Sequence, residues 1–252
     1  WFSSNRTLFH MAPDEPAQLA MARWISGGAR WNLFDHSSWR PGMATLLAPV
    51  FWFTADTATI VRSALAIGAA LGGIAAVQLA LLGRRLTNLS ATGCLLAAAV
   101  IALAPSSLSA TSFVWAEGLV TVTFLASLTQ VLRFYDTERT RHGIAAVLAS
   151  AAGCTSHSRL LPMVAVVVVL VVGRSLVQRA WRRAAILTGV AVAATGASFA
   201  YANWVFSHVW DDPASSNTVG TVVNRLPKVT NNLESALGQM WYQLAATAGL
   251  TL

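Results

Sequence analysis

The stretch ATIVRSALAIGAALGGIAAVQLALLG, residues 58–83, decides what kind of protein this sequence encodes. It holds one charged side chain, Arg62, which lies near the beginning of the stretch. About 20 consecutive, mostly apolar residues are enough for an α-helix to cross the hydrocarbon core of a bilayer. The stretch therefore predicts a transmembrane helix. Arg62 can either extend its long side chain to the membrane interface or bind a phosphate group there.

The rest of the chain has the same apolar character. Of its 252 residues, 55% are hydrophobic and 11% are charged, whereas a soluble domain carries about 25% charged residues. Further apolar runs lie at roughly 90–110, 114–132, 143–157, 160–173, 184–206 and 237–252. The runs at 143–157 and 160–173 are short for full spans, so they are either helices of small tilt or helices that meet inside the protein near residues 156–159. We expect an all-α fold, a polytopic transmembrane helical bundle.

The loops between the runs give an expected orientation. Most of the arginines lie in three loops, at 83–88, 133–142 and 173–184. Even numbers of crossings separate these loops, so they share one side, which the positive-inside rule assigns to the cytoplasm. All acids except Asp136 and Glu138 then lie on the other side, many of them in residues 1–56. The net charge of +7 does not indicate nucleic-acid binding, because the basic residues do not form one polar face with interleaved aromatic residues.

Residues 1–56 precede the first span and hold two stretches that predict short helices. In DEPAQLAMARWISGG (14–28), Asp14 at the N-cap and a final glycine pair mark the start and the end of a helix. Its apolar face predicts that it lies along the outer membrane surface. The second stretch, NLFDHSSWRPGMATLLAPVFW (32–52), has a Pro-Gly turn before another apolar segment. We therefore expect a first extracytoplasmic loop with two amphipathic surface helices and then, over 57–252, a transmembrane bundle of about seven segments, the last one truncated.

Four motifs occur in order along most of the chain: PDEPAQLAMARW (13–24), WRPGMATLLAPVF (39–51), WAEGLVTVTFL (115–125) and SHSRLLPM (156–163). Together they resemble the GT-C glycosyltransferases, the superfamily of the protein O-mannosyltransferases and the aminoarabinose transferases of lipid A. The resemblance implies a first transmembrane helix before Trp1, a variable C-terminal half after Leu252 and an active site on the extracytoplasmic face. The chain departs from the family pattern at Arg40, where relatives often have a second proline, and at residues 157–159, where they often have Thr-Arg.

The resemblance implies an enzyme that transfers a sugar, with inversion, from a polyprenyl-phosphate donor to a cell-envelope glycan, lipid or protein. The acceptor hydroxyl must lose its proton as it attacks, and Asp14 is the expected general base, with helix capping as its alternative role. Glu15 is expected to orient the acceptor or to raise the pKa of Asp14. Fixed cations stabilise the charge that grows on the leaving phosphate, and Arg40 and Arg159 are the candidates. Arg40 is otherwise a lipid-headgroup anchor.

Glu117 is a further candidate for binding the substrate. It lies at the start of an apolar run, where an acid usually faces a cavity or pairs with a cation. It is therefore either part of the site or a structural partner of Arg159 or Arg62.

Histidines raise the question of a metal. His36 is a candidate substrate-binding residue, and His36 and His157 could join Asp14 and Glu15 to hold a divalent metal ion. No spacing in the sequence resembles a fixed metal motif, so no cofactor is predicted with certainty and a divalent metal stays open.

Two alternatives to an enzyme are a transporter or flippase for a lipid-linked sugar and an inactive membrane scaffold. A transporter needs charged or broken spans around a site at the midplane, whereas the acids here gather at one face. We expect a multi-pass protein of the plasma membrane whose partners are the donor, the acceptor and membrane lipids. The arginine-rich composition, with Lys228 as the only lysine, is typical of a high-GC bacterial gene.

Overall fold

The computed structural model of the chain describes residues 14–31, 40–104, 107–108, 114–157 and 160–209. Within these ranges the chain forms helices and short connections without any β-strand, which confirms the all-α fold. The first loop contributes α1 (Asp14–Ile25), α2 (Gly42–Leu47) and α3 (Val50–Phe53). The longer helices are α4 (Thr57–Leu86), α5 (Ala91–Ala102), α6 (Glu117–Thr137), α7 (Thr140–Ser156), α8 (Leu161–Val177) and α9 (Trp181–Val209).

Three helices in the described part of the chain, α4, α6 and α9, are long and apolar enough to cross a membrane. The longest, α4, has 30 residues, which at 1.5 Å per residue gives about 45 Å. It begins where the Asp56 carboxylate accepts a hydrogen bond from the Thr59 backbone N–H at 2.8 Å. Large apolar side chains stay exposed along it, Val77 at 58% for example. A bilayer solvates such a surface, whereas in water a contiguous apolar patch of this kind is rare.

The helices α5, α7 and α8 are shorter than a full span. α5 has 12 residues, and α7 and α8 have 17 each, so they measure about 18 Å and about 26 Å against a hydrocarbon core of about 30 Å. α5 covers only the first part of the run at 90–110. α7 ends at Ser156 and α8 begins at Leu161, and Ser156 and Leu160 are buried. The two short helices thus meet inside the protein, which is one of the two expected arrangements. The run at 237–252 lies outside the described residues.

The loops that carry most of the arginines lie together at one end of the helices. Arg85, in the last turn of α4, pairs with Asp136 in the last turn of α6. Glu138, just after α6, has a left-handed backbone with φ 54° and accepts hydrogen bonds from Arg174, at 3.2 Å, and from Gln178. The three loops therefore share one end of the bundle, as the sequence predicts. Their assignment to the cytoplasm stays a prediction.

The largest core cluster joins the first loop to the bundle. It is built by α1, α2, α4 and α9 and by the segment before α6, through the buried side chains of Leu19, Met21, Met43, Leu47, Val61, Leu65, Val114 and Val205. Every residue of α1 from Ala17 to Ala22 is at most 2% exposed. This helix is therefore enclosed by protein along its middle, and it differs in this respect from the surface helix expected from the sequence. The reason is that α2 and α9 pack on it as well.

Candidate functional site

Glu15 connects the start of α1 with the segment that leads into α6. Its side chain is fully buried, and its Oε1 accepts a hydrogen bond from the Val114 backbone N–H at 2.9 Å. A buried carboxylate is expensive unless it is hydrogen-bonded, and its place in the first turn of α1 also complements the helix dipole. The carboxylate therefore fixes residues that are distant in sequence against each other.

Gln18, one turn further along α1, connects this helix with α2 and with the backbone just before it. Its Oε1 accepts a hydrogen bond from the Ala44 backbone N–H at 3.0 Å, and its Nε2 donates to the Arg40 carbonyl oxygen at 3.4 Å. Both ends of this buried amide are thus occupied. Gln18 holds the backbone just before α2 and thereby sets where the Arg40 side chain begins.

Arg40 is buried at the junction of the first loop and the bundle, with 7% of its surface exposed. The centre of its guanidinium lies 4.7 Å from the centroid of the Phe199 ring on α9. Its Nη2 is buried and has no hydrogen-bond partner among the described residues. Burial lowers the pKa of Arg40 below its ordinary value, but arginine stays protonated in proteins. The site therefore contains a buried cation with a donor that has no partner among the residues that the structure describes.

The end of α7 lies directly against the backbone that follows Arg40. A Cβ added at Gly42 would lie 2.6 Å from Thr155 Oγ1 and closer still to Ser156 Oγ, so only glycine fits this contact. The Ser156 hydroxyl is buried and, within the described ranges, lacks a hydrogen-bond partner. Arg40 and Ser156 thus bring two donors without partners to the region where α2 meets α7.

Aromatic side chains cover the neighbouring face of α1. The Trp24 ring lies 5.2 Å from Trp204 and 5.8 Å from His208, measured between centroids. Tyr201, one turn before Trp204 on α9, makes a hydrogen bond of 2.6 Å with Thr45 on α2. Tyr201, Trp204 and His208 are spaced three and four apart and so lie on one face of α9. They hold α1 and α2 against α9.

Glu117 lies away from Arg40, at the start of α6. It lines a cavity of about 540 Å³ between α4, α5 and α6. Its backbone oxygen accepts a hydrogen bond from Thr121 Oγ1 at 2.9 Å. Among the described residues, no ion pair joins its carboxylate to Arg62, one of its two expected partners. The other, Arg159, lies outside the described residues.

The structure describes the side chains of three predicted site residues, Glu15, Arg40 and Glu117, and leaves the others untested. Among the described residues α1 begins with Asp14 itself, one position further into the helix than the N-cap expected from the sequence. The Asp14 side chain, His36 and Arg159 lie outside what the structure describes, so their roles stay predictions. No group of three or more metal-binding side chains occurs within the described ranges. Since candidate ligands are missing from those ranges, a divalent metal stays open.

Sequence reasoning missed Gln18 and Ser156. Gln18 lies between apolar residues in the middle of α1, and a polar residue in such a place indicates a buried hydrogen bond. Ser156 carries no comparable local signal, since serine is common in apolar helices.

No family model, no curated protein and no solved structure matches the chain. The geometry of the described residues therefore has to support any function by itself.

Proposed function

We propose that this chain carries the donor site of an integral membrane glycosyltransferase. The enzyme would move a sugar from a polyprenyl-phosphate carrier to a cell-envelope acceptor, on the extracytoplasmic face. One observation carries the proposal, the buried Arg40 guanidinium with a donor that has no partner in the described part of the chain.

A buried cation without a carboxylate partner is costly, and such groups are usually paired or hydrogen-bonded. A phosphate can supply the missing charge and the missing acceptors, because arginine binds phosphate oxygens through two parallel hydrogen bonds. The Ser156 hydroxyl, which lies against Gly42 two residues after Arg40, offers a further donor. A carboxylate ligand would satisfy Arg40 equally well, but the apolar helices around the site favour an anion attached to a lipid.

Asp14 and Glu15 have separate roles in this proposal. Glu15 positions α1 through its hydrogen bond with Val114. Asp14 accepts the proton of the acceptor hydroxyl as that oxygen attacks the anomeric carbon. The bond from the anomeric carbon to the phosphate oxygen breaks, and the polyprenyl phosphate leaves with the electron pair. Arg40 stabilises the negative charge that grows on that phosphate.

Sugar transfer by the full-length protein in liposomes, with a polyprenyl-phosphate sugar as donor, tests the proposal. Asp14→Asn is expected to slow transfer by about 10²–10⁴-fold, the range for a lost general base. Since asparagine caps helices as well as aspartate does, the melting temperature should not change. Equal rates for Asp14→Asn and wild type would place the base elsewhere. A wild type that transfers no sugar from any donor would favour the transporter or the scaffold.

Arg40 is tested separately from Asp14. Arg40→Gln is expected to lower kcat/KM by about 10²–10³-fold, the usual effect of losing one charge-stabilising donor. Arg40→Lys should fall in between, because lysine cannot form the bidentate contact. Arg23→Gln is the matched control, since Arg23 also lies over an aromatic ring, 5.1 Å from the Trp31 centroid, in the first loop. Equal losses for Arg40→Gln and Arg23→Gln would contradict the role of Arg40.

A further inference from the structure

We infer that the cavity between α4, α5 and α6 binds the apolar chain of a lipid whose headgroup donates a hydrogen bond to Glu117. The lipid class is one with a hydroxyl or amine headgroup, not one whose headgroup is a bare phosphate. The inference concerns binding alone and holds whether or not the chain transfers sugars.

The cavity has the size and the lining of a site for an alkyl chain. Its volume of about 540 Å³ lies within the range of ligand sites, about 300–1,000 Å³. Small residues open it on two helices, among them Ala69, Gly72 and Gly73 on α4 and Ala98 on α5. A Cβ added at Gly73 would meet no atom within 4 Å, so the space in front of this part of α4 is open.

An apolar chain suits this space better than water does. Two of the three helices that form the cavity, α4 and α6, are long and apolar enough to cross a membrane. Water needs two to four polar partners in a cavity, and apolar cavities stay dry. An empty space would leave its lining atoms without dispersion partners. In a membrane, the hydrocarbon chains of the surrounding lipids are the apolar groups that can fill this cavity.

Glu117 determines which headgroup fits. Among the described residues that line the cavity, it is the only one that ionises, and it lies at the end of the cavity where α6 begins. The Glu15 hydrogen bond to Val114, three residues earlier, fixes this end of α6. A carboxylate accepts hydrogen bonds from hydroxyl or ammonium groups and repels a phosphate. The Arg40 guanidinium, whose Nη2 has no partner in the described part of the chain, lies over Phe199 on α9 and does not line this cavity, so a phosphate has a better place to bind.

Photolabelling of the full-length protein in phosphatidylcholine liposomes tests the inference. Three probes share one long alkyl chain with a diazirine and differ only in the headgroup: an alcohol, an amine and a phosphate. Phosphatidylcholine is a suitable background because its headgroup has no N–H or O–H donor. We expect labelled peptides from α4, α5 and α6, with half-saturation by the alcohol and the amine at about tenfold lower concentration than by the phosphate.

Two substitutions separate the chain site from the headgroup contact. Gly73→Leu fills the cavity and is expected to abolish labelling of these peptides by all three probes. Gly189→Leu on α9 is the matched control, because its added Cβ also meets no atom within 4 Å and it lies outside the cavity. Glu117→Gln should keep the labelling by the alcohol and remove the advantage of the amine over the phosphate. If Gly73→Leu does not fold, Gly73→Val replaces it, because valine fills a smaller part of the cavity.

Several outcomes would overturn the inference. Labelling of α4, α5 and α6 that survives Gly73→Leu would mean that the probes bind outside the cavity. Equal labelling of all lipid-facing helices would indicate the bulk bilayer. A phosphate probe that binds as well as the alcohol would refute the role of Glu117. Absence of any labelled cavity peptide would mean that the protein itself fills the space.

Discussion

Replacing Gly42 by alanine tests the contact that brings Arg40 to the end of α7. The added Cβ would lie 2.6 Å from Thr155 Oγ1, 2.9 Å from the Ser156 backbone nitrogen and nearer still to Ser156 Oγ. The neighbouring residues Met43 and Ala44 are fully buried, so α2 cannot simply move away. Overpacking of this kind costs about 1–3 kcal/mol, and the better helix propensity of alanine recovers up to about 1 kcal/mol.

Since all three contacts are shorter than 3.0 Å and one is to backbone, the cost lies in the upper part of that range, about 2–3 kcal/mol. After the gain in helix propensity, a net destabilisation of about 1–2 kcal/mol remains, which for a chain of this size lowers Tm by about 2–8 °C. Thermal unfolding of the purified full-length protein, followed by tryptophan fluorescence, measures the shift. Binding of the proposed polyprenyl-phosphate donor should weaken in the same variant, because Arg40 lies two residues away and moves with the backbone.

Gly196→Ala is the control for this prediction, because a Cβ at Gly196 on α9 would meet no atom within 4 Å. Its Tm should equal that of wild type or rise slightly. The double variant of Gly42→Ala with Ser156→Ala should recover part of the loss, since it removes the nearest clashing atom. The packing argument would be refuted if Gly42→Ala melted like Gly196→Ala, or if the double variant recovered nothing.

Three further predictions concern single side chains. Glu15→Ala should destabilise the fold by about 1–3 kcal/mol because the buried Val114 N–H loses its acceptor, whereas Glu15→Gln keeps one; identical melting of the two variants would contradict this role. Ser156→Ala should leave Tm nearly unchanged but weaken donor binding severalfold, because its hydroxyl lacks a partner in the described part of the chain; a large loss of stability would count against that reading. Hydrogen bonds from Thr59 hold the pKa of Asp56 below its ordinary value. The resulting stabilisation is full above the unfolded pKa of about 3.9 and is lost as the pH falls through the folded pKa. Asp56→Asn should therefore weaken the pH dependence of unfolding in that acid range, and an unchanged dependence would contradict the assignment.

The helices that could be predicted from sequence are those with local signals. The apolar run at 58–83 and the arginines after it predict α4 without knowledge of any neighbour, because length and charge alone decide membrane insertion. Asp56 is a helix cap of the usual type, and its hydrogen bond to Thr59 depends only on residues three apart. Arg85 and Asp136 lie at the same end of the helices because the chain reverses direction from one span to the next.

The surroundings of the candidate site could not be predicted in the same way. The sequence places Arg40 at a turn, as a phosphate-binding cation or a lipid-headgroup anchor. Its burial depends on contacts with α7 and α9, which no residue nearby in sequence indicates. Gln18 is buried for the same reason, with its partners 22 and 26 residues away. The absence of a side chain at Gly42 decides how closely α2 approaches Ser156, and a Pro-Gly pair in sequence predicts only a turn.

The long sequence separation of the contacts made by α1 and α2 has a consequence for biosynthesis. The Glu15 carboxylate can form its hydrogen bond only after Val114, 99 residues later, has been synthesised. Thr45 can form its hydrogen bond only after Tyr201, 156 residues later, has been synthesised. At about 5–20 residues per second, these delays are roughly 5–20 s and roughly 8–30 s. A nascent chain therefore exposes its first loop, without its final contacts, while the helices α4 to α8 are still being synthesised. Arg40 acquires its place against Phe199 only when α9 emerges. A ribosome that stalled before α9 would release a protein with its first helices in the membrane and no assembled site.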